Sequence, residues 1–219
     1  MLGIKIGPLG RRRWESFRAN RRGYYSLWIF CSLFFISALG EFITNDKPLV
    51  LSYAGDLYFP VFVKYPETTF DGVFETEAEY RDPYVIELIN NQGWILWPPV
   101  RYSYDTINYD LPGPAPSAPS GENWLGTDDQ GRDVFARLLY GFRLSVIFGL
   151  LLTIGSSVVG IILGAIQGFF GGWIDLVGQR LIEIWGGLPQ LFMLIILASI
   201  VEPTFWWLLS LMLLLLVEE

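Results

Sequence analysis

Two stretches without any charged side chain constrain this protein more than any other feature of its sequence. Residues 144–170 and 188–201 contain no Asp, Glu, Lys or Arg. An apolar run of about 20 residues is long enough to cross the hydrocarbon core of a bilayer as a helix. Only 17% of the 219 residues are charged and the mean hydropathy is +0.39, whereas about a quarter of a soluble domain is charged. The sequence therefore predicts a membrane protein.

The residue inventory excludes several classes of active site. The chain contains no histidine and a single cysteine, Cys31, so a histidine-based triad, an intrachain disulfide and a thiolate metal centre are excluded. The apolar stretches hold no paired acids and no Ser–Lys couple, which argues against an intramembrane enzyme. The sequence also has no Gly-x-x-x-x-Gly-Lys phosphate loop, so ATP would have to be hydrolysed by a partner. We expect no catalytic residue, no metal site and no cofactor.

The N-terminal segment, residues 1–22, is basic and contains one acid, Glu15. Its basic residues are Lys5, Arg11, Arg12, Arg13, Arg18, Arg21 and Arg22. The apolar run that follows directly favours a cytoplasmic tail resting on anionic lipid over a nucleic-acid-binding arm. We interpret residues 23–43 as an uncleaved first transmembrane helix with its N-terminus in the cytoplasm. The alternative is a cleaved signal peptide, which is made of the same parts.

Residues 44–121 form an acidic insert that is rich in Tyr, Phe and Trp and has no predicted span. Because basic residues are scarce here, we place the insert in the periplasm, opposite the arginine-rich tail. A segment of this size without disulfides has a small core, so we expect it to rest on the membrane, a partner subunit or a delivered substrate protein. Glu75, Glu77 and Glu79 alternate, which fits a solvated face better than a cation site. The Pro-rich stretch 111–120 predicts a semi-rigid linker and a boundary.

Residues 122–143 have the pattern of an amphipathic helix lying along the membrane surface. Thr127 and Gln130 match a capping box, and Asp128 and Asp129 favour the positive end of a helix. The segment also carries arginines that run against a simple positive-inside count, with several acids nearby to balance them. These arginines are Arg132, Arg137 and Arg143.

Three apolar spans are predicted after this helix, at about 144–170, 184–201 and 205–217. In the first of them small residues recur at every fourth position, a spacing that lets helix backbones pack closely. These residues are Ser156, Gly160, Gly164 and Gly168. Pro189 lies within the second span and is a hinge candidate, because proline interrupts the hydrogen-bond ladder of a helix. The third span is shorter than the usual length.

The stretch LGTDDQGRDVFARLLYGFRLS at 125–145, followed by GGWID at 171–175, resembles the permease subunits of peptide-importing ABC transporters of the dipeptide and oligopeptide type. The motif residues are Gly126, Thr127, Asp128, Asp129, Gly131, Arg132, Asp133 and Arg137. The arginine-rich tail and the acidic insert look most like the subgroup that imports microcin C and related oligopeptides. The resemblance implies an all-α polytopic membrane protein with the transmembrane domain of a type I ABC importer.

Such permeases have six transmembrane helices, of which the resemblance assigns the first four to this chain. The implied partners are a second permease subunit, two ATPase subunits or a fused ATPase, a periplasmic peptide-binding protein and the lipid bilayer, and no nucleic acid. The chain stops at Glu219, so we expect a C-terminal truncation without the cytoplasmic loop that grips the ATPase. The resemblance assigns no substrate-binding residue.

Two functions remain in competition at the level of sequence. The first is an inner-membrane permease subunit of an ATP-driven importer of oligopeptides or peptide-like compounds, which forms the translocation path by alternating access with a second permease. The alternative is a membrane-anchored adaptor or non-transporting fragment whose periplasmic insert binds a partner protein. In either case we expect a multi-pass protein of the cell inner membrane that is not itself an enzyme.

Overall fold

A computed structural model describes residues 7–187, 189–202 and 204–215 of the chain. Its backbone forms two compact units, residues 1–143 and 144–219. The helices are α1 (Pro8–Ala19), α2 (Arg21–Ala38), α3 (Gly40–Ile43), α4 (Pro83–Gln92), α5 (Val134–Phe170), α6 (Gly172–Gly186), α7 (Gln190–Ile200) and α8 (Phe205–Leu215). The strands are β1 (Val50–Tyr53), β2 (Asp56–Tyr58) and β3 (Gly93–Leu96).

Helix α1 lies within the basic tail and α2 begins at its end, and Asn20 separates the two helices. Pro8 occupies the first turn of α1, where the missing N–H costs nothing. The side chain of Asn20 accepts a hydrogen bond from the backbone N–H of Gly23 at 3.3 Å and so caps α2. The predicted first transmembrane helix at 23–43 is divided at Leu39, between α2 and α3.

One helix in the described part of the chain, α5, is long and apolar enough to cross a membrane. The bent pair of α6 and α7 would add a second span if the pair acts as one. Helix α2 has 18 residues but is not among the helices apolar enough to cross a membrane, and its first turn holds Arg21 and Arg22. A transmembrane role for 23–43 therefore stays a prediction.

The insert folds around a three-stranded antiparallel sheet with the strand order β2-β1-β3. Leu51 in the central strand β1 is opposite Tyr58 of β2 and Ile95 of β3. Helix α4 packs against β1 and β3 of this sheet. The Asp82 carboxylate caps α4 by accepting a hydrogen bond from the backbone N–H of Tyr84. Together these elements bury a core of Leu51, Tyr53, Phe70, Ala78, Tyr80, Val85 and Ile89. The insert thus has a hydrophobic core of its own, which is as small as the sequence predicts.

The end of α2 and α3 lies beside the first turns of α5. The hydroxyl of Ser37 donates a hydrogen bond to the carbonyl of Leu139 at 2.5 Å, and Ser37 is fully buried. The hydroxyl of Tyr140 donates to the carbonyl of Thr44 at 3.0 Å. These contacts hold the N-terminal turns of α5 against the C-terminal end of α3.

The structure corrects the predicted interfacial helix at 122–143. Residues 121–133 are not helical, and α5 begins at Val134 and continues without a break to Phe170. At 1.5 Å per residue its 37 residues reach about 55 Å. The predicted interfacial helix and the predicted span at 144–170 therefore merge into one helix. The capping box at Thr127 and Gln130 does not form, because the Thr127 hydroxyl instead accepts a hydrogen bond from the backbone of Ser117.

The second unit also differs from the prediction in its helix limits. The glycines of GGWID at 171–175 predict a turn, but α6 begins at Gly172, and Gly171 and Gly172 both have a φ of +57°. The predicted span at 184–201 is divided, since α6 ends at Gly186 and α7 begins at Gln190 with Pro189 at its N-cap. The two helices differ in direction by 74°. Of the predicted span at 205–217, α8 covers Phe205–Leu215, and positions 216 and 217 lie outside the described residues.

Candidate functional site

Most of the motif residues meet where a loop leads into α5. We call residues 117–137, which comprise this loop and the first turn of α5, the junction. Two hydrogen bonds, one to a side chain and one between backbone groups, join Ser117 to Thr127 in this loop. The N–H of Ser117 donates to the Thr127 hydroxyl at 2.9 Å, and the N–H of Thr127 donates to the carbonyl of Ser117 at 3.1 Å. The Pro-rich stretch 111–120 is therefore tied into the first unit instead of forming its boundary.

Gly126 is required at the centre of this contact. Its φ is +76°, a conformation that side chains with a Cβ rarely adopt. A Cβ built on Gly126 would lie 2.4 Å from the carbonyl oxygen of Ser117. The carbonyl of Gly126 also accepts a hydrogen bond from the N–H of Val134, the first residue of α5, at 3.1 Å. One glycine thus joins the linker, the motif and the start of the helix.

Asp128 gathers two arginines of the motif. One carboxylate oxygen accepts hydrogen bonds from the N–H groups of Gln130 and Arg132, each at 2.9 Å. The other accepts from the Nε of Arg132 at 3.0 Å and pairs with the guanidinium of Arg137. Burial acts to raise the pKa of Asp128, but the backbone N–H donors and both arginines outweigh it and lower the pKa to about 2. The positive charges of Arg132 and Arg137 are thus offset by the carboxylate of Asp128 in the same loop.

Asp133 is the deepest polar group of the junction, with no exposed surface. One of its oxygens accepts from the N–H of Ala136 at 2.7 Å and caps the start of α5. The other accepts from the amide of Asn123 at 2.8 Å, and the carbonyl of that amide accepts from Asn108 at 3.0 Å. A buried carboxylate at a helix N-terminus is stabilised by the positive end of the helix dipole. This chain of three side chains connects the insert to the membrane helix.

The junction therefore unites the predicted motif residues Gly126, Thr127, Asp128, Gly131, Arg132, Asp133 and Arg137, while Asp129 is exposed at the turn. Sequence reasoning missed Ser117, Asn123 and Asn108, which complete the hydrogen-bond network. Only their arrangement in space identifies them, because all three lie outside the motif at 125–145. The junction has the properties of a rigid support for a helix end and offers no reacting group.

The remaining arginine of this region, Arg143, is neutralised from a different element. Its guanidinium bonds the carboxylate of Glu41 in α3 at 2.8 Å. Because Glu41 is the one acid of the predicted segment 23–43, the pair removes two isolated charges at once. All three arginines that run against the positive-inside count are paired: Arg132 and Arg137 share Asp128, and Arg143 pairs with Glu41.

A second feature of the first unit is an open cavity of about 680 Å³ on the insert. Its acidic lining residues are Asp46, Glu77, Glu79, Asp82, Asp105 and Asp110, and its basic ones are Lys47 and Arg81. Both bases are engaged, since Lys47 pairs with Glu77 and Arg81 lies 4.2 Å above the ring of Tyr102. Hydrogen bonds from Lys47 and Lys64 lower the pKa of Glu77 against the opposing effect of burial. The cavity is acidic as a whole, although no described group of His, Cys, Asp and Glu has the arrangement of a metal site.

The small-residue stripe of α5 has no neighbour among the described residues. A Cβ added at Gly160, Gly164 or Gly168 would meet no atom within 4 Å. The close helix contact within this unit is made one residue before the stripe, at Gly155, where a Cβ would lie 2.6 Å from Leu213 of α8. Ser156 bonds the carbonyl of Thr153 in its own helix. The stripe is thus an open surface of small side chains.

Comparison with known proteins assigns the chain to a family. It is 52% identical over 206 residues to the inner membrane ABC transporter permease protein YejE of Escherichia coli, a match that covers 94% of this chain and 60% of the relative. It is 49% identical over 233 residues to the peptidoglycan transport system permease protein YejE of Agrobacterium fabrum, covering 95% of this chain and 61% of the relative. The chain belongs to the ABC transporter permease family. No family model matches it.

A more distant relative matches a shorter part of the chain. The dipeptide transport system permease protein DppC of Bacillus subtilis is 41% identical over 85 residues, which cover 39% of this chain and 27% of the relative. The long matches to the YejE permeases cover nearly the whole chain, the insert included. The chain spans about three fifths of the length of these YejE relatives.

Proposed function

We propose that this ABC permease is the inner-membrane subunit of an ATP-driven importer of oligopeptides or peptide-like compounds. The observation that carries the proposal is the identity of about half of all positions to two YejE permeases across 94% and 95% of the chain. One of these relatives is named for peptidoglycan transport and the DppC relatives for dipeptide transport. Peptides and peptide-containing cell-wall fragments therefore form the proposed substrate class.

In this proposal the chain forms part of the translocation path and performs no covalent chemistry. The path lies between this permease and a second one, and separate ATPase subunits drive its opening to alternate sides. Helix α5 is the principal span of this chain, with the open stripe of Gly160, Gly164 and Gly168 as the surface on which a neighbouring helix packs. The break at Pro189 between α6 and α7 is the proposed hinge.

The proposed orientation puts the N-terminus in the cytoplasm and the insert in the periplasm. The basic residues Arg11, Arg12, Arg13 and Arg18 of α1 are all exposed, as a helix lying on anionic headgroups requires. In this orientation α3 ends, and α5 begins, at the periplasmic face. The junction then holds the outer end of α5 while its inner part moves against the second permease.

The insert is the proposed docking site of a periplasmic peptide-binding protein. It has its own core, and its acidic cavity offers charge complementarity to a basic surface of a partner. Charge-reducing changes at Asp105 and Asp110 should weaken binding of that protein, mainly by slowing association. An Asp56→Asn change on β2, which is exposed and outside the cavity, is the matched control.

The deciding experiment is affinity purification of the tagged protein from membranes, followed by assay in lipid nanodiscs. The proposal expects a second permease and ATPase subunits to co-purify, and ATP hydrolysis to rise when the peptide-binding protein and a peptide are added. Recovery of a periplasmic protein alone, without ATPase subunits, would contradict the transporter and support the adaptor function, which the insert's own hydrophobic core also favours.

A further inference from the structure

The turn after β2 presents a group of apolar side chains to the outside of the insert. Phe59, Phe62 and Val63 are 43%, 70% and 48% exposed, although Pro60 between them is buried. The N–H groups of Phe62 and Val63 both donate to the carbonyl of Phe59, at 3.0 and 3.1 Å, so the turn is closed. We call these three residues the turn patch. Exposed aromatic groups held in a fixed turn mark a surface that something else covers.

The turn patch touches the end of the helix that leads out of the predicted membrane segment. The ring of Phe62 lies 5.9 Å from the ring of Phe42 in α3. Helix α2, directly before α3, exposes many large apolar side chains. These include Tyr25, Leu27, Trp28, Ile29, Phe30, Leu33, Phe35 and Ile36. The turn patch thus continues the apolar surface of α2 and α3 onto the insert.

We propose that the turn patch inserts into the periplasmic headgroup region of the bilayer and anchors the insert to the membrane. This rests on the proposed function, in which 23–43 crosses the membrane and ends at the periplasmic face. Phe42 then lies at the membrane boundary, and its contact with Phe62 holds the turn patch at the same depth.

The chemistry of the turn patch fits a lipid interface. Phe is one of the residues that interfacial segments bury at the boundary between headgroups and acyl chains, and two of the three members are Phe. The neighbouring Lys64, whose side chain is 80% exposed, pairs with Glu77 at 3.2 Å, so the turn patch is bordered by a neutralised ion pair and not by an isolated charge. Of the supports open to a small insert, which are membrane, partner subunit and substrate protein, this surface selects the membrane.

The test places an environment-sensitive fluorophore on single cysteines of the full chain in nanodiscs. Because Cys31 is the single cysteine, a Cys31→Ser background allows Phe62→Cys and Val63→Cys to be labelled with a nitrobenzoxadiazole dye. Tyr109→Cys is the exposed control on the insert, since Tyr109 is 85% exposed, and Phe35→Cys reports on α2. Lipids that carry a nitroxide at the headgroup or within the acyl chain serve as quenchers.

We expect headgroup nitroxides to quench the dye at 62 and 63 several-fold more strongly than at 109, and acyl-chain nitroxides to quench it most at 35. Equal quenching at 62, 63 and 109 would overturn the anchor. A blue-shifted dye at 62 that no lipid quenches would also overturn it, because a protein would then cover the turn patch. If 35 is not quenched either, the membrane segment itself and the proposed topology fail, which separates the two proposals.

Discussion

The two units of this permease are stabilised in opposite ways. The first unit buries apolar residues such as Leu51, Phe70 and Ile89 completely and satisfies buried polar groups such as Asp133 within the chain. The second leaves large apolar side chains outside, with Phe169 and Trp173 more than 80% exposed. A surface of that kind is unfavourable in water, and lipid or neighbouring helices must cover it. The first unit should therefore respond to changes in its own contacts, and the second to changes in its surroundings.

The core of the insert gives the strongest test of this difference. Phe70 is fully buried and lies 5.5 Å from the ring of Tyr53 and 5.4 Å from that of Tyr58. Phe70→Ala should lower the free energy of unfolding of the insert by about 3 to 5 kcal/mol, as truncation of a buried Phe does. Hydrogen exchange of the backbone amides of β1 and β3 in the full chain measures it.

The matched control for this change is Phe74→Ala, because Phe74 is 63% exposed. It should leave the protection of β1 and β3 within about 0.5 kcal/mol of the unchanged protein. Equal loss in both variants would mean that the insert is held by its surroundings and not by its own core.

The junction provides the second test. Asp133→Ala removes the cap of α5 and leaves the amide of Asn123 without its acceptor, so the first turn of α5 should lose about 2 to 3 kcal/mol of protection. Asp129→Ala, at the exposed turn of the same motif, should change it by less than about 0.5 kcal/mol. Site-resolved hydrogen exchange at residues 136–139 measures both. A similar loss in the two variants would refute the role given to the buried network.

How much of the structure could be predicted from the sequence depends on how far apart in the sequence the interacting residues lie. The charge-free stretches and the motif correctly predicted the family, since both are local patterns that survive in any fold. The capping box at Thr127 failed because a residue ten positions away, Ser117, takes its hydroxyl. The ion pair that neutralises Arg143 is made with Glu41, about a hundred positions away. Contacts of this range have no period or spacing from which they could be read.

The helix limits failed for a related reason. Apolar composition separated 122–143 from 144–170, but a helix does not end where its composition changes. It ends where its backbone hydrogen bonds are taken by other groups. Asp133 and the carbonyl of Gly126 supply those groups at Val134, whereas residues 143 and 144 lie within an unbroken helix.

Two glycines of α5 contrast packing inside the chain with packing against a partner. Gly155→Leu should clash with Leu213 and lower the melting temperature of the protein in detergent, at a cost of about 1 to 3 kcal/mol. A Cβ at Gly164 meets no atom of the described residues, so Gly164→Leu should leave that temperature unchanged, while it reduces the yield of the complex with a second permease. Native mass spectrometry reports the yield. Full assembly of the Gly164→Leu protein would refute the proposed packing role of the stripe.

The smallest effect is expected from the titration of Asp128. Its pKa is about 2 in the folded protein against 3.8 for an ordinary aspartate. A lowered folded-state pKa stabilises the fold above the unfolded value, and that stability is lost as the pH falls from about 4 through about 2. We expect a loss of about 1 to 2 kcal/mol at the junction over this range, measured by hydrogen exchange at Thr127 and Gly131.

In Asp128→Asn the loss over the same range should disappear, because no carboxylate titrates there. The distant Glu77, whose pKa is also lowered, serves as the internal comparison: its pairs with Lys47 and Lys64 should weaken at a pH that Asp128→Asn does not alter. A pH dependence at the junction that persists in Asp128→Asn would assign the effect to other carboxylates of the insert. The carboxylate of Asp128 would then not be the group whose titration destabilises the junction.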